Sequence, residues 1–437
     1  MERLGPARYG RRMRVHLLDV APRPGFKQHI PTLTLPRVAG CTPAGVDVAI
    51  TDGRVEPIPS RIEADLVGMT FNCNNAPHAY RLARDLRDRG VTVIAGGTHA
   101  TAIPDEVLEH FDALLTGEAE GGAWAELLGD FAAGRMKERY SNPGPPSLAG
   151  LRPPRLDLLS RRHWYIDFAP IEATRGCTHD CSFCFNSTIH GAGFRTRPVE
   201  EVVEDARRAR SRRLMFMDDN LCGKPGYAKE LLEALIPLKK QLFFQTHMLM
   251  AADDELLRLA ALAGTRAVFV GIESFHSDSL SSVNKGWNRI RDYRRYMDAF
   301  HAHDIFVSGG LILGLDHDTP DIFDQTLAGL NAIGLDSAAI NLVIPYPGTD
   351  DFRRYDAEGR ILHRDWTRYD GENLVVRPAL MSPEKLFEGY HHVIREFYRP
   401  RSYLRRMRWS GMPSRWYLYA VAWLREPRLR IVRRGLP

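Results

Sequence analysis

Three cysteines, Cys177, Cys181 and Cys184, lie within eight residues in a C-x3-C-x2-C run. The run follows a β-type segment and precedes a helical one, so one tight loop would carry all three thiolates. Such a loop can bind three corners of a cubic iron–sulfur cluster and leave the fourth iron open, whereas most ferredoxin-type clusters use four cysteines. The run therefore predicts a strand–loop–helix unit built around a cluster.

Two other interpretations of this cysteine run stay open. A structural zinc site would need a fourth ligand, which His179, His190 or Cys222 could provide, although none of them has the paired spacing of zinc sites. The other is a chance grouping of small buried thiols. A disulfide framework is disfavoured because the chain has six cysteines in 437 residues, three of them in one run. This cysteine usage predicts a reducing compartment, the cytoplasm.

The composition predicts a soluble globular protein of two or three domains. A chain of 437 residues is too long for one ordinary core, and 44% of it is hydrophobic against 26% charged. No segment reaches the roughly 18 uninterrupted apolar residues of a membrane span. Residues 1–14 are basic but lack the apolar stretch of a secretory leader, so none is expected.

Positive charge is concentrated at the carboxyl end of the chain. Residues 399–437 contain eleven Arg and one acid, a net charge of about +10, where the whole chain carries +5. Basic segments with interleaved aromatics can lie on anionic membranes, and the aromatics here are Trp409, Trp416, Tyr417, Tyr419 and Trp423. The alternative is a helix that packs on the protein with solvated arginines. The rest of the chain shows no nucleic-acid motif, so no such partner is expected.

Residues 1–140 alternate short β-branched runs with helical ones, which predicts an α/β fold with a doubly wound, Rossmann-like parallel sheet. The predicted strands are 13–20, 46–50, 64–71, 91–95 and 113–116. Sheets of this kind bind ligands beyond the carboxyl ends of their strands. A proline-rich stretch, residues 141–162, is predicted to link this domain to the next one.

Residues 163–350 alternate in the same way. The predicted strands are 168–174, 213–217, 242–247, 267–272, 306–313 and 338–344, with helices between them. Six βα units are fewer than the eight of a closed barrel, which predicts a partial (β/α)6 barrel that is open on one side. Residues 351–437 are predicted to form a mainly helical C-terminal region ending in the Arg-rich tail.

The cysteine run, with Phe183 directly before its last Cys, resembles that of the radical S-adenosylmethionine superfamily. The resemblance implies a partial barrel of that superfamily's type, with a [4Fe–4S] cluster on the three cysteines and S-adenosylmethionine on the open iron. It also implies contacts to S-adenosylmethionine near the ends of successive strands, from Asp218, Asp219, Glu273, Gly310 and Pro345. The two aspartates could instead cap the helix that follows them.

Three segments of the N-terminal region, 70–75, 95–99 and 116–120, resemble the cobalamin-binding half of cobalamin-dependent radical S-adenosylmethionine enzymes. That group includes the bacteriochlorophyll ring cyclase and the hopanoid methylases. The implied cobalamin contacts are Thr70, Asn72, Asn74, Gly96, Gly97, His99, Gly117 and Glu118. The chain lacks the D-x-H-x-x-G sequence through which many cobalamin proteins ligate cobalt. The alternative is a Rossmann-like domain that binds no corrin.

The resemblance implies an enzyme that generates a 5′-deoxyadenosyl radical at the cluster and modifies an unactivated carbon, with C-methylation as the leading outcome. The alternatives are cyclisation, oxidation or rearrangement with the same cofactors, or a non-catalytic metal-binding module. The expected partners are a small-molecule substrate, hydrophobic or isoprenoid in character, and an external electron donor of the flavodoxin or ferredoxin type. The expected location is the cytoplasm, with peripheral contact at the inner membrane face as an option. No catalytic side chain is assigned.

Overall fold

The computed structural model describes residues 12–21, 32–159, 168–191 and 193–409. The described N-terminal part forms one parallel sheet from the strands β1 (Arg14–Asp19), β2 (Asp47–Asp52), β3 (Leu66–Thr70), β4 (Thr92–Gly96), β5 (Ala113–Leu115) and β6 (Arg139–Tyr140). The helices around it are α1 (Thr34–Cys41), α2 (Ala76–Asp88), α3 (Thr98–Ala102), α4 (Pro104–Leu108) and α5 (Ala123–Ala132). The strand order β2-β1-β3-β4-β5-β6 is doubly wound, as predicted.

The hydrophobic pattern explains why these segments take these roles. Strand β3 is buried along Leu66–Met69 because it lies inside the sheet with helices on both faces. Helix α2 has Pro77 in its first turn, where the missing N–H costs nothing, and it buries Ala79 and Ala83 on the sheet side. The short strand β6 pairs with β5 at the sheet edge and was not predicted, since two residues carry no alternation.

The second sheet is also parallel, in the order β7-β10-β11-β12-β13-β14. The strands of this region are β7 (Ala169–Ile171), β8 (Thr174–Gly176), β9 (Phe194–Thr196), β10 (Arg213–Phe216), β11 (Gln241–Thr246), β12 (Thr265–Glu273), β13 (Phe306–Leu313) and β14 (Ser337–Leu342). The helices are α6 (Asn186–His190), α7 (Val199–Arg208), α8 (Pro225–Leu235), α9 (Asp254–Leu262), α10 (Ser277–Ser282), α11 (Tyr293–Ala302) and α12 (Ile322–Ile333). Six parallel strands with alternating helices confirm the predicted architecture of an open, partial barrel.

The first predicted strand of the barrel is divided in the structure. Strand β7 joins the main sheet, whereas β8 turns away and pairs antiparallel with β9, with Gly176 opposite Phe194. Gly176 has φ +88°, and a Cβ atom there would collide with the backbone of Gly193. The β8–β9 pair therefore forms a two-stranded base from which the cysteine loop extends.

The C-terminal region contributes to both halves of the molecule. Its helices are α13 (Asp350–Ala357), α14 (Pro383–Phe397) and α15 (Pro400–Trp409). Helix α14 packs closely on α12, because Gly389 leaves room for the ring of Phe323. Residues Tyr355, Trp366 and Tyr369 instead belong to the same hydrophobic core as one face of the N-terminal sheet.

Two predicted segments fall partly outside the described residues. The proposed linker is irregular apart from a short turn at Leu156–Leu158, and its last residues, 160–162, are not described. The aromatic tail beyond Trp409 is not described either. Among the helices that the structure does describe, none is long and apolar enough to cross a membrane.

Candidate active site

The cysteine loop lies at the carboxyl end of the barrel strands, between β8 and α6. The amide of Cys184 donates to the carbonyl of Cys181 at 2.9 Å, and Asn220 Nδ2 donates to Cys177 Sγ at 3.5 Å. All three cysteines are free thiols. Burial raises the pKa of Cys181 to about 12, and the neighbouring thiols Cys184 and Cys177 push it in the same direction. The three sulfur atoms therefore lie near one another, as three protein ligands of one cluster would.

A structural zinc site would need a fourth ligand beside the three cysteines. Within the described residues, no group of three or more His, Cys, Asp or Glu side chains is arranged to hold a single metal ion. Cys222 is fully buried, with its thiol 3.6 Å from Met250 Sδ, and His190 is engaged with Glu118 at 2.8 Å. Neither residue is placed as a fourth ligand to the loop.

The segment of residues 283–287, here called the strap, packs directly against the cysteine loop. The amide of Ser182 donates to the carbonyl of Val283 at 3.4 Å, and Asn284 Nδ2 donates to the carbonyl of Asp180 at 3.3 Å. The His179 ring stacks on Trp287, with centroids 3.8 Å apart and planes 11° apart. These contacts hold the cysteine loop against the strap.

Glu273, a predicted contact to S-adenosylmethionine, ends β12 with φ +64°, an uncommon conformation for a non-glycine residue. Its carboxylate pairs with Lys285 of the strap at 2.6 Å, and both side chains are buried. The pair lies over Gly271, where any Cβ atom would meet Lys285 Nζ at 2.5 Å. Burial alone would lower the pKa of Lys285, but the Glu273 carboxylate outweighs it and raises that pKa.

The two predicted aspartates have different environments. Asp218 is 1% exposed and accepts hydrogen bonds from the backbone amides of Ala173 and Thr174 and from Thr174 Oγ1. Burial raises the pKa of Asp218 to about 7. Asp218 therefore secures the β7–β8 corner. Asp219 is exposed and points toward His190, whose Nε2 lies 3.9 Å away, so Asp219 is the one available to a ligand.

The other two predicted contacts to S-adenosylmethionine are Gly310 and Pro345. Gly310 of β13 lies beside Phe269 of β12, whose ring would be 3.0 Å from a Cβ atom at position 310. Gly310 therefore lets the Phe269 ring pack directly against the backbone of β13. Pro345 is buried just after β14, next to Ile344 in the core that joins the two halves.

A cavity of about 380 Å³ opens at the carboxyl ends of the N-terminal strands. Six of the eight predicted cobalamin residues line it: Thr70, Asn72, Gly96, Gly97, Gly117 and Glu118. Its deeper part runs between the sheet and helices α1 and α5, lined by Leu35, Gly68 and Trp124. Ile189, His190 and Met217 of the barrel domain line the same cavity. The cavity is therefore a junction between the two halves.

The other two predicted cobalamin residues, Asn74 and His99, do not line this cavity. His99 is 2% exposed, with Nε2 3.1 Å from Tyr80 Oη and its ring 5.5 Å from that of Trp366. Burial lowers the pKa of His99 to about 4, so its imidazole is neutral. It packs in the core on the opposite face of the sheet.

Sequence reasoning missed a buried ionic cluster between the cavity and the cysteine loop. Arg175, two residues before Cys177, contacts Glu118 at 2.7 Å, Glu120 at 2.6 Å and Glu172 at 2.8 Å. Burial would raise the pKa of Glu118, but hydrogen bonds from His190 and Arg195 and the charge of Arg175 hold it well below its usual range. In the sequence, this cluster was indicated by the opposite charges of Glu172 and Arg175, which lie just before the cysteine run.

Comparison with known proteins agrees with this geometry. The model of the radical SAM superfamily matches residues 171–329, and that of a domain of unknown function, DUF4070, matches residues 349–412. The bacteriochlorophyllide d C-12(1)-methyltransferase of Chlorobaculum tepidum is 32% identical, over 88% of this chain and 86% of that protein. The hopanoid C-3 methylase of Methylococcus capsulatus is 26% identical, over 78% of this chain and 71% of that protein.

Two solved structures share the fold. The radical S-adenosylmethionine methyltransferase TsrM from Kitasatospora setae, solved with cobalamin and a [4Fe–4S] cluster, covers 89% of this chain and 89% of its own at TM-score 0.67 and 16% identity. The cobalamin-dependent enzyme OxsB, solved with aqua-cobalamin and S-adenosylmethionine, covers 94% of this chain and 72% of its own at TM-score 0.67 and 14% identity.

The fold and the cysteine loop thus define a radical S-adenosylmethionine enzyme with an N-terminal Rossmann-like domain. The chain belongs to the family of the bacteriochlorophyllide and hopanoid methyltransferases within that superfamily. The predicted family, fold class and enzyme class are confirmed, and with the superfamily comes the use of S-adenosylmethionine. The roles assigned to individual cofactor-binding residues stay predictions.

Proposed function

We propose that this chain is a cobalamin-dependent radical S-adenosylmethionine C-methyltransferase. The observation that carries the proposal is the cavity at the junction, which brings six predicted cobalamin residues together with His190 and Met217 of the barrel domain. Its methyltransferase relatives, which align over most of this chain, support methylation, and the cobalamin-bound neighbours of the same fold support the corrin.

The residues that would hold each group follow from the described site. The three cysteines would bind the cluster, while Asp219 and Glu273 would contact S-adenosylmethionine. The cavity would hold the corrin, with Gly68 and Gly96 leaving room at its wall and the polar residues Thr70 and Asn72 at the strand ends. When bound, these groups supply radical activation of carbon and a methyl group. The chain itself orients them and excludes water.

The inner face of the barrel indicates an apolar substrate. Met215 lies beside Phe243 on neighbouring strands, and Gln245 lies beside Phe269, so these four side chains share one face with Gly310. Met215 and Phe269 are half-buried although they lie on inner strands, and neither belongs to a hydrophobic core. A lumen lined in this way fits a hydrophobic small molecule, in keeping with relatives that act on hopanoids and bacteriochlorophyllides.

The proposal includes an external electron donor of the flavodoxin or ferredoxin type, because a cluster that has given up an electron must be reduced again before the next turnover. It also includes reversible contact with an anionic membrane through the Arg-rich tail, from which a hydrophobic substrate could be taken up. Co-sedimentation with anionic vesicles should be greater for the full chain than for residues 1–409, which lack six of the eleven arginines of the tail. Equal binding of the two would contradict the membrane contact.

Anaerobic reconstitution with iron and sulfide, with and without hydroxocobalamin, tests the cofactor set. We expect a cluster spectrum that S-adenosylmethionine perturbs and about one tightly held corrin per chain. Reactions with methyl-deuterated S-adenosylmethionine and hopanoid or chlorophyllide pools should then yield a product carrying the labelled methyl group. Formation of 5′-deoxyadenosine and a modified product without label would instead support the cyclase or rearrangement alternative.

The variant Gly96→Val tests the corrin cavity. Gly96 lines the cavity, and a Cβ atom there meets only Leu115 O, at 3.4 Å, so the larger side chain would fill ligand space without a severe clash. We expect corrin affinity to fall at least about tenfold, or 1.4 kcal/mol, with a nearly unchanged melting temperature. Spectral titration with hydroxocobalamin measures the first, and thermal unfolding without corrin measures the second.

The matched control is Gly144→Val, since position 144 lies outside the cavity and has no neighbour within 4 Å of an added Cβ atom. It should bind corrin as the parent does. Unchanged corrin affinity in the Gly96 variant would place the corrin elsewhere.

A further inference from the structure

Lys285 is a buried cation held against the loop that carries the cysteines. It sits in the middle of the strap, which joins the loop through the Ser182–Val283 and Asn284–Asp180 hydrogen bonds and the His179–Trp287 stack. Its side chain is 8% exposed, and its Nζ lies 2.6 Å from Glu273 Oε1 and 5.5 Å from the Trp287 ring centroid. Its charge is therefore fixed in position.

Two of the charges that act on the cysteine sulfurs come from this buried pair. Lys285 and Glu273 are among the groups whose charges act most strongly on Cys181, and Asp219 and Glu273 are among those that act on Cys184. Lys285 is thus the cation of this set, and Glu273 carries the opposing charge at the other end of a buried pair. Because both groups are shielded from water, their fields are screened much less than those of surface charges.

We propose that the Lys285–Glu273 pair sets the reduction potential of the cluster, with Lys285 raising it and Glu273 lowering it. Reduction transfers one electron to the cluster, which makes it more negative, so a nearby buried cation stabilises the reduced form and a buried carboxylate destabilises it. The inference rests on the proposed function only in that the cysteine loop must hold a cluster. In this proposal the charge of Lys285 acts on the cluster. Lys285 also holds Glu273 in position for S-adenosylmethionine and is in that sense a positioning residue.

A charge series on the full-length, reconstituted protein tests this role. Lys285→Met leaves an unpaired negative charge, Glu273→Gln leaves an unpaired positive one, and the double variant leaves neither. Lys285→Arg keeps the original charge. The midpoint potential is measured without S-adenosylmethionine, by electron paramagnetic resonance during titration with dithionite and mediators. Iron and sulfide content is measured first on every sample.

We expect Lys285→Met to lower the ratio of reduced to oxidised cluster at a fixed potential about tenfold, a shift of about 59 mV for one electron. Glu273→Gln should shift the ratio in the opposite direction, and the double variant and Lys285→Arg should lie close to the parent. The control Lys240→Met removes a cation whose Nζ bonds the carbonyls of Ala209 and Ser211, away from the cysteine loop, and should leave the potential unchanged.

The outcomes separate the two proposals. A parent protein that assembles no cluster would overturn the proposed function itself. A cluster present in every variant with equal midpoint potentials would overturn the role of Lys285 and leave the proposed function standing. Shifts of the same sign in both single variants would show structural disturbance rather than charge, and would also overturn it.

Discussion

Replacing Arg175 with methionine is expected to lower the free energy of unfolding by about 3–5 kcal/mol, the usual cost of removing one partner of a buried ion pair. Arg175 is 7% exposed and contacts Glu118, Glu120 and Glu172, all at 2.8 Å or less. Arg195 and Arg37 remain beside these carboxylates but cannot reach all of them with comparable geometry. Urea-induced unfolding followed by tryptophan fluorescence measures the change.

Arg155→Met is the matched control for this prediction. Arg155 also makes a close carboxylate pair, at 2.8 Å to Asp157, but the two side chains are 49% and 61% exposed. An exposed pair of this kind contributes only about 0–1 kcal/mol, because water and salt screen it. Similar losses in the two variants would contradict a structural role for the buried cluster of charges.

Replacing Cys184 with alanine is expected to abolish cluster assembly and all cleavage of S-adenosylmethionine, because a cubic cluster with one open iron needs all three thiolates of the loop. Anaerobic reconstitution followed by iron and sulfide analysis and by detection of 5′-deoxyadenosine measures both effects. The protein should remain folded, since Cys184 lies in a loop and is only partly buried.

Cys222→Ala is the corresponding control. Cys222 is fully buried against Met250 in the barrel core, so its loss should cost about 1 kcal/mol of stability through a small cavity and leave the cluster intact. Loss of the cluster in this variant, or its retention in Cys184→Ala, would require a different ligand set for the metal.

The strands were predictable because each is a short apolar run between helical segments. The prediction for β13, residues 306–313, coincides with the structure, and the boundaries of β10, β11 and β14 differ by one or two residues. The division of the first barrel strand into β7 and β8 was not predictable, because it depends on the Asp218 carboxylate accepting the amides of residues 173 and 174. That contact joins positions more than forty residues apart.

The cavity was also largely predictable, since a parallel sheet presents the ends of its strands at one edge. Six of eight predicted residues line it, and the exceptions have a geometric cause. His99 lies in the first turn of α3, which begins just after Gly97. Its side chain contacts Tyr80 on the opposite face of the sheet. Of the Arg175 cluster, the sequence indicated the nearby pair with Glu172 but not Glu118 and Glu120, which lie over fifty residues away.

The hydrophobic core that joins Phe71 and Val93 of the N-terminal sheet to Tyr355, Trp366 and Val375 has a consequence for synthesis on the ribosome. Chains emerge from the amino end and their domains fold in that order. Helices α2 and α4 also pack on this face of the first sheet, but the part of the core that comes from residues 355–376 is missing until position 376 has been made, more than 230 residues after β6 is complete. Part of the apolar surface of the N-terminal domain therefore stays exposed until the ribosome has made the segment in the last third of the chain that covers it.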